Sequence, residues 1–505
     1  MANVELLLYI RKRQQQGANT NDIMNALVAR GWKAAMVQEA FDSLAALPTP
    51  KAQVTKTGPT GYVIFFGGLF IVLTILLFTV PILLGVFSRD ITSPDDQDIS
   101  LDTTLLPEDQ NAYYEVQKIL DVMFYPNNFI NKYLGNGNWI QNDPARQNIL
   151  DKNSKLFLLA DAILQKPKYQ NPEIGQPADT APYKTQYDEN TNVMRSNAER
   201  LANVMQIRSL DLEEKKLTND QLGEALKIVA LGQLLAANEP SLSDYKAGLE
   251  VKKIGLETAV ETLFGYKDLT FLQNQITKMD AYKNTMQGAV YALKKEYALE
   301  KTLISAAANR NLNLIAADFG FTIDPMTKIY GRNRYLFQPN KTIDITAQYF
   351  RQGVNDVQLS CAMVKDLQSR RQVVQNVFPL MTFQQNAVGV GIVHKIMNDI
   401  DISQLLDYRC RDMLLVNATQ TMLALRAYYL TYGAYPKQLS DLVPQFVSEV
   451  PLDPYDENPL KYSTEKNIIY SVGINGKDEG GSQGVYWQLM PDPTFKLHIK
   501  KQSSN

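Results

Sequence analysis

The sequence holds only two histidines and two cysteines. That leaves almost no material for a His/Cys metal centre or a CxxC redox pair. It also lacks an excess of charge of either sign: 51 Lys and Arg stand against 53 Asp and Glu, a net charge of −2. A general nucleic-acid binder carries a basic surplus or stripe, so no nucleic-acid partner is expected. No clean internal repeat period is present, which removes a regular solenoid. With 45% hydrophobic and 21% charged residues, the 505-residue chain has the composition of a folded protein.

One long stretch lacks charge altogether. Nothing ionisable in the Asp, Glu, Lys or Arg sense occurs between Lys56 and Arg89, and Gly61 to Phe87 is almost wholly apolar. A helix over 62–87 would be ~39 Å long, more than the ~30 Å hydrocarbon core requires. A buried core helix rarely runs so far without a charge, and a signal peptide has a shorter apolar run and a small-residue cleavage site. The segment is therefore expected to be a transmembrane helix, with Pro81 kinking its last turns or marking the far interface. Seven basic residues precede it (Arg11, Lys12, Arg13, Arg30, Lys33, Lys51 and Lys56) against four acidic ones. Arg89 follows it and then Asp90, Asp95, Asp96, Asp98 and Asp102. The positive-inside rule places the N-terminus in the cytoplasm and the 418 residues after Phe87 outside. This predicts a single-pass protein with a large extracytoplasmic body and the lipid bilayer as its first partner.

Residues 1–47 read as three short helices. The first is Val4 to Gln15, stopped by Gly17, and Asn19, Thr20 or Asn21 can cap the second. The second ends at Gly31, Trp32 follows, and a third carries Met36, Val37, Ala40, Phe41 and Leu44. The layout, with Gly31-Trp32 between two amphipathic helices, resembles the ubiquitin-associated-like bundle. The resemblance implies a cytoplasmic docking module. Residues 48–61 form a linker, and 88–110 an acidic linker beyond the membrane.

From 111 to 400 the periodicity is helical, as at Leu156, Leu158, Leu159 and Ile163 or Leu222, Ala225, Leu226 and Val229. Thr218 and Gln221 have capping-box spacing. Leu272 to Ala308 predicts a long helix or a helical pair. Residues 134–154 and 166–190, rich in Asn, Pro and Gly, are expected as loops. Gly389 and Gly391 spell half of a dinucleotide fingerprint, but no strand precedes them and no acidic residue follows at the required distance. His394, in an apolar helical stretch, is expected to be a packed core histidine.

Ser403 to Tyr432 reads as one helix with Leu406, Cys410, Met413, Leu414, Asn417, Thr421 and Leu425 near one face, ended by Gly433. Leu439, Leu442 and Val443 form a short helix. Lys461 to Ser463 and Asn467 to Val472 can pair as a hairpin, and Val485 to Leu489 supplies a third strand. The expected fold is thus mainly α and multidomain. Its parts are a three-helix bundle, one transmembrane helix, an irregular all-α extracytoplasmic domain over 111–400 and a C-terminal α+β module over 401–492, with 493–505 a tail.

The pattern Tyr435-Pro436, Val450-Pro451, Asp453-Pro454, Pro459-Leu460, Tyr462, Tyr470-Ser471, Gly473 and Gly476 to Gly481 resembles the soluble part of the type II secretion major pseudopilins. The arrangement also looks like bacterial envelope proteins that end in this module after an anchor and a helical middle. In them, segments similar to Gln338-Pro-Asn-Lys-Thr342 and Asn386-Ala-Val388 occur. Here the apolar span lies more than 300 residues upstream of the module, and no prepilin start is present. The module is therefore expected as a reused domain. The resemblance implies a calcium ion in the loop after the Tyr-Ser-x-Gly strand, where Asn475, Asp478, Glu479 and Ser482 offer hard oxygen ligands. It also implies other envelope or secretion proteins as partners.

The leading function is a membrane-anchored interaction or structural protein of the envelope. The alternative is an envelope hydrolase using carboxylates of the helical middle. Gly480-Gly-Ser-Gln-Gly484 spells GxSxG, but a strand is expected after it where a nucleophile elbow needs a helix. Cys361 and Cys410 would close a loop of ~49 residues if bridged, about 4 kcal/mol in the chain-entropy account; two buried thiols fit the pattern equally.

Overall fold

The computed structural model describes residues 9–10, 13, 18–29, 32–45, 87–101, 104–126, 144–172, 183–215, 217–283, 285–308, 334–367, 385–482 and 491–497. Two compact units emerge, Met1–Leu77 and Phe78–Asn505. The expected transmembrane segment 62–87 lies outside the described residues except for Phe87. Among the described residues no helix is long and apolar enough to cross a membrane.

In the first unit, α1 (Thr20–Ala29) and α2 (Ala34–Ala45) are helical. Asn19 caps α1, its Oδ1 accepting the Asp22 N–H at 2.8 Å. Ile10, Ile23, Leu27, Val37, Ala40 and Phe41 form the core, with Trp32 packed against it. Met36, one of the apolar residues named on the third helix, is exposed. Positions 37, 40 and 41 define the stripe at helical spacing, and 36 falls one step off it.

The second unit is mainly helical with one three-stranded sheet. Its longer helices are α3 (Pro144–Lys152), α4 (Ser154–Leu164), α5 (Tyr183–Glu214), α6 (Thr218–Ala237), α7 (Leu242–Thr262), α8 (Leu269–Lys278), α9 (Met286–Ala307), α10 (Pro339–Val357), α11 (Ala387–Asp399) and α12 (Ser403–Tyr432). Two stretches expected as loops contain helix. Pro144 opens α3, where a missing N–H costs nothing, and Ile149 and Leu150 drop into the core. Tyr183 begins α5, a polar extension of a helix whose later residues Leu201, Val204 and Met205 are fully buried. Tertiary burial outweighs local propensity at both places. The expected capping box at Thr218 is absent: Leu217 is the N-cap, with no side-chain cap. A true box closes α7, where Ser241 and Asp244 exchange side-chain-to-backbone bonds. Leu272 to Ala308 is a helical pair, α8 and α9.

The α6–α7 pair packs backbone against backbone. A Cβ on Gly232 would stand 2.3 Å from the Lys252 backbone nitrogen, and one on Gly255 2.6 Å from that of Val229. The buried Lys252 Nζ meets Asp412 of α12 at 2.8 Å. It also donates to Gln233 Oε1 and the Tyr282 carbonyl. Glycine lets the two backbones approach, and the ion pair ties both to the central helix.

The 30-residue α12 runs over the predicted bounds, but it is buried round most of its circumference rather than on one face. Leu405 joins a core with α9, α10 and α11, while Leu406, Leu414 and Met422 join one with α6, α7, α8 and the C-terminal module. Its buried circumference includes polar and charged residues, among them Asp407, Arg409, Asp412 and Gln420. The Cys361–Cys410 disulfide pins it to the short turn after α10.

The acidic segment expected as a linker is laid onto the helical body over 88–101. Asp90 accepts the N–H groups of Asn340 and Lys341 at 2.8 and 3.1 Å, so its charge sits at the first turn of α10. Asp96 accepts from Tyr297 and Lys301 of α9, and Asp98 forms a two-pronged pair with Arg351. Gln338 and Asn386, singled out in sequence, meet at this place. The Gln338 N–H donates to Asn386 Oδ1 at 2.8 Å and its amide to the Arg89 carbonyl. Gly389 lies where α11 crosses α10, and a Cβ there would stand 2.0 Å from Thr342 Oγ1. That contact, not a phosphate, explains the glycine.

Candidate functional site: the glycine-rich loop of the C-terminal module

The C-terminal module begins where Gly433 takes a left-handed φ of 73° and ends α12. A short turn at Leu439–Leu442 seats two buried leucines. Strands β1 (Lys461–Ser463) and β2 (Ile468–Tyr470) pair antiparallel with Lys461 opposite Tyr470, as the hairpin pattern predicts. Asn467, at φ 52°, closes the turn. The third strand, β3, is Thr494–Lys496, paired with β2. The strand expected over 485–489 lies outside the described residues.

Asp453 explains the Asp-Pro signal. It is fully buried, and its carboxylate accepts the Tyr455 and Val472 N–H groups and the Ser471 hydroxyl. The loop 453–459 is thereby locked onto the end of β2. Burial pushes its carboxyl above the ordinary value despite these donors. Asp453 and Asp456 therefore hold a loop; Asp456 accepts the Asn458 N–H.

The loop from Gly473 to Ser482 wraps an aspartate that sequence reasoning missed. Asp492 is fully buried. Its Oδ2 accepts the Glu479 and Gly481 N–H groups, both at 2.9 Å, while among the described residues no donor reaches Oδ1. Burial, and after it the adjacent Glu479 carboxyl, raise its pKa. Two of the glycines are dictated by this wrapping. At Gly473 (φ 61°) a Cβ would stand 2.1 Å from the Pro491 carbonyl, and at Gly481 (φ 84°) 2.6 Å from Ile468. The signal for Asp492 was its place between Pro491 and Pro493, at the last position of the expected module; the residues just after it, expected as a tail, form β3.

Of the four residues expected to hold calcium, the structure brings Glu479 and Ser482 to Asp492, and Asn475 to Glu479. Glu479 lies against Asp492, Asn475 donates its amide to Glu479 at 3.1 Å, and the Ser482 hydroxyl accepts the Asp492 N–H at 3.1 Å. Asp478 turns away, accepting from the Tyr470 hydroxyl and the Gly480 N–H. Among the described residues no group of three or more His, Cys, Asp or Glu could hold a metal. A buried oxygen with no donor beside a second carboxylate is nevertheless a donor set that suits a hard cation.

Ser482 follows two glycines at φ 81° and 84°, and its hydroxyl is engaged by the Asp492 N–H. His394 is half-buried rather than core, its Nδ1 beside the Asn398 amide at 3.0 Å. His498 lies outside the described residues. Two buried carboxylates are engaged structurally: Asp244 caps α7, and Asp412 of α12 pairs with Lys252 of the helical middle.

No family model, curated protein or solved structure matches the chain.

Proposed function

We propose that the chain is a single-pass protein of a bacterial cytoplasmic membrane, with residues 62–87 spanning it, the N-terminal bundle inside and the body outside. Its role is that of an interaction or structural protein, associated with a type II secretion or pilus-like assembly through the pseudopilin-like C-terminal module. The observation that carries this reading is the buried Cys361–Cys410 bridge. Such bonds persist on the oxidising side of the membrane, the side that the flanking charges assign to the body. Asp90, three residues beyond the apolar run, is bonded to the start of α10, so the body would stand directly at the bilayer. An aromatic ledge at the end of α12 suits a partner. Tyr432 is 55% exposed there, with its ring 4.5 Å from Tyr428 and 6.3 Å from Phe446. In-cell crosslinking with mass spectrometry tests the association: secretion or pilus components are expected among the crosslinks to the C-terminal module. Crosslinks confined to the protein itself would remove that part of the proposal.

The same module is proposed to take a calcium ion at Glu479 and Asp492, with Asn475 and Ser482 as neutral oxygen donors. The donor-less Asp492 Oδ1 supports this. A site with Kd ~10⁻⁴ M, in the range of extracellular modules, would add about 1.4 kcal/mol at ~1 mM calcium. Calcium should raise the melting temperature of the full chain in detergent, and Asp492→Asn should abolish the rise. An unshifted wild-type transition at millimolar calcium would refute the site.

A further inference from the structure

The Cys361–Cys410 bridge has a buried cation at its side. Arg409 precedes Cys410 on α12 and is 8% exposed, and its Nη2 lies 3.9 Å from Cys361 Sγ. The same nitrogen donates to the Leu359 carbonyl at 2.6 Å, Nη1 meets the Met413 sulfur at 3.4 Å, and Nε has no partner. Among the described residues no carboxylate pairs with this guanidinium. A buried cation without an anion is costly to hold, and an uncharged disulfide offsets none of that cost. A thiolate on Cys361 would be the counter-ion that Arg409 lacks.

The other charges around the bridge are paired, held or exposed. On α12, Asp412 is paired with Lys252 at 2.8 Å. Tyr245 of α7, which faces Arg409, stays neutral because burial raises its hydroxyl pKa. Lys365 and Asp366, just after Cys361, are exposed and of opposite sign. Glu457 accepts the Ser360 hydroxyl at 2.5 Å but is itself exposed, and Asp453 is engaged by the three donors described above. Across the cavity of about 610 Å³ that Cys361 lines, Glu449 is exposed and Asp280 is paired with Lys283 at 2.7 Å. Exposed carboxylates are screened by water and salt, whereas the buried guanidinium acts at close range in a lower dielectric. The balance at Cys361 Sγ favours the thiolate.

We propose that Cys361 and Cys410 form a reversible redox couple that exchanges with a dithiol, Arg409 holding Cys361 as a thiolate once the bridge opens. The dithiol approaches through the cavity, because Cys361 lines it and Cys410 is fully buried. Its first sulfur bonds to Cys361 Sγ, the bridge breaks, and Cys410 leaves as a thiolate and takes up a proton. Its second sulfur then bonds to the first and expels Cys361 as a thiolate beside Arg409; a thiol of low pKa leaves faster. Two electrons pass from the dithiol, which ends as a disulfide. One of its two protons ends on Cys410 and the other in solvent. Arg409 keeps its bond to the Leu359 carbonyl throughout, so the turn stays seated on α12 in the reduced chain. The couple depends on neither the calcium loop nor the membrane topology.

The test equilibrates the full chain in detergent with mixtures of reduced and oxidised dithiothreitol, whose own thiols stay protonated near neutrality. Alkylation and mass spectrometry read the reduced fraction. Because reduction releases a proton, the equilibrium constant should rise at least about threefold from about pH 6.5 to about pH 7.5, against about 1.2-fold for two ordinary thiols of pKa ~8.5. Arg409→Met should flatten that rise and remove the ultraviolet thiolate absorbance that the reduced wild type shows at neutral pH; Arg409→Lys, which keeps the charge, should retain both. A smaller rise in the wild type, or a bridge that excess dithiothreitol opens only after denaturation, would overturn the proposal. A reduced chain that unfolds has ordinary thiols, gives the flat profile and would overturn it equally. A full rise in Arg409→Met would overturn the part assigned to Arg409.

Discussion

Replacing both members of the Cys361–Cys410 bridge by alanine gives a perturbation whose size follows from chain length. The two residues are separated by 49 positions. In the chain-entropy account, a loop of that length removes ~14 cal/mol/K from the unfolded ensemble, or about 4 kcal/mol at 25 °C. Alanine leaves no hydroxyl without a partner in a site where Cys410 is fully buried. The body holds roughly 400 residues, so its unfolding entropy is on the order of 0.85 kcal/mol/K and the loss corresponds to ~5 °C in Tm. Differential scanning calorimetry of the wild type and the double variant measures it directly. A loss of several degrees in non-reducing buffer, together with a wild-type mass two hydrogens lighter than that of the reduced chain, is expected. An unchanged midpoint, or a wild type that carries two alkylatable thiols after unfolding, would refute the reasoning.

Lys252→Met strands Asp412 as a buried unpaired charge and should cost ~3–5 kcal/mol, whereas Lys252→Met with Asp412→Leu should recover most of that; equal losses in denaturant titration would refute the pairing. Gly232→Ala should destabilise by about 1–3 kcal/mol because its Cβ meets the α7 backbone, while Gly223→Ala, with nothing within 4 Å, should stabilise by about 0.4–1 kcal/mol. For Asp98, the Arg351 hydrogen bond holds the carboxyl below its usual value. For Asp96, burial works upward, but the Lys301 and Tyr297 bonds outweigh it and the net shift is also downward. Depressed carboxyls stabilise above the ordinary carboxylate range and lose that contribution as pH falls through their lowered values. Asp96→Asn with Asp98→Asn should therefore mimic acid at pH 7 and raise deuterium uptake across 95–101; wild-type protection in the variant would count against the strap.

Elements with a strong local signature were legible. Helix α12 carries a helical period from Leu406 to Leu425 and a glycine stop, and β1 and β2 flank a turn that only Asn467 has to bend. What escaped were features that depend on distant partners. Nothing local says that Pro144 starts a helix, because Ile149 and Leu150 find their core elsewhere in the chain. The acids at 90, 96 and 98 read as a solvated run, and only the fold supplies the start of α10, Lys301 and Arg351 to meet them. In the candidate site, Glu479 was visible from its loop. Asp492 was not, because its role is to be wrapped by backbone N–H groups ten or more residues away.

The central claim is that the body stands on the far side of the membrane from the N-terminal bundle. Proteinase K added to spheroplasts that carry an epitope at each end of the chain tests this most directly. The account predicts that the C-terminal epitope is digested while a fragment containing the N-terminal bundle and the apolar segment stays protected until detergent is added. A C-terminal epitope that survives until the membrane is lysed would contradict it.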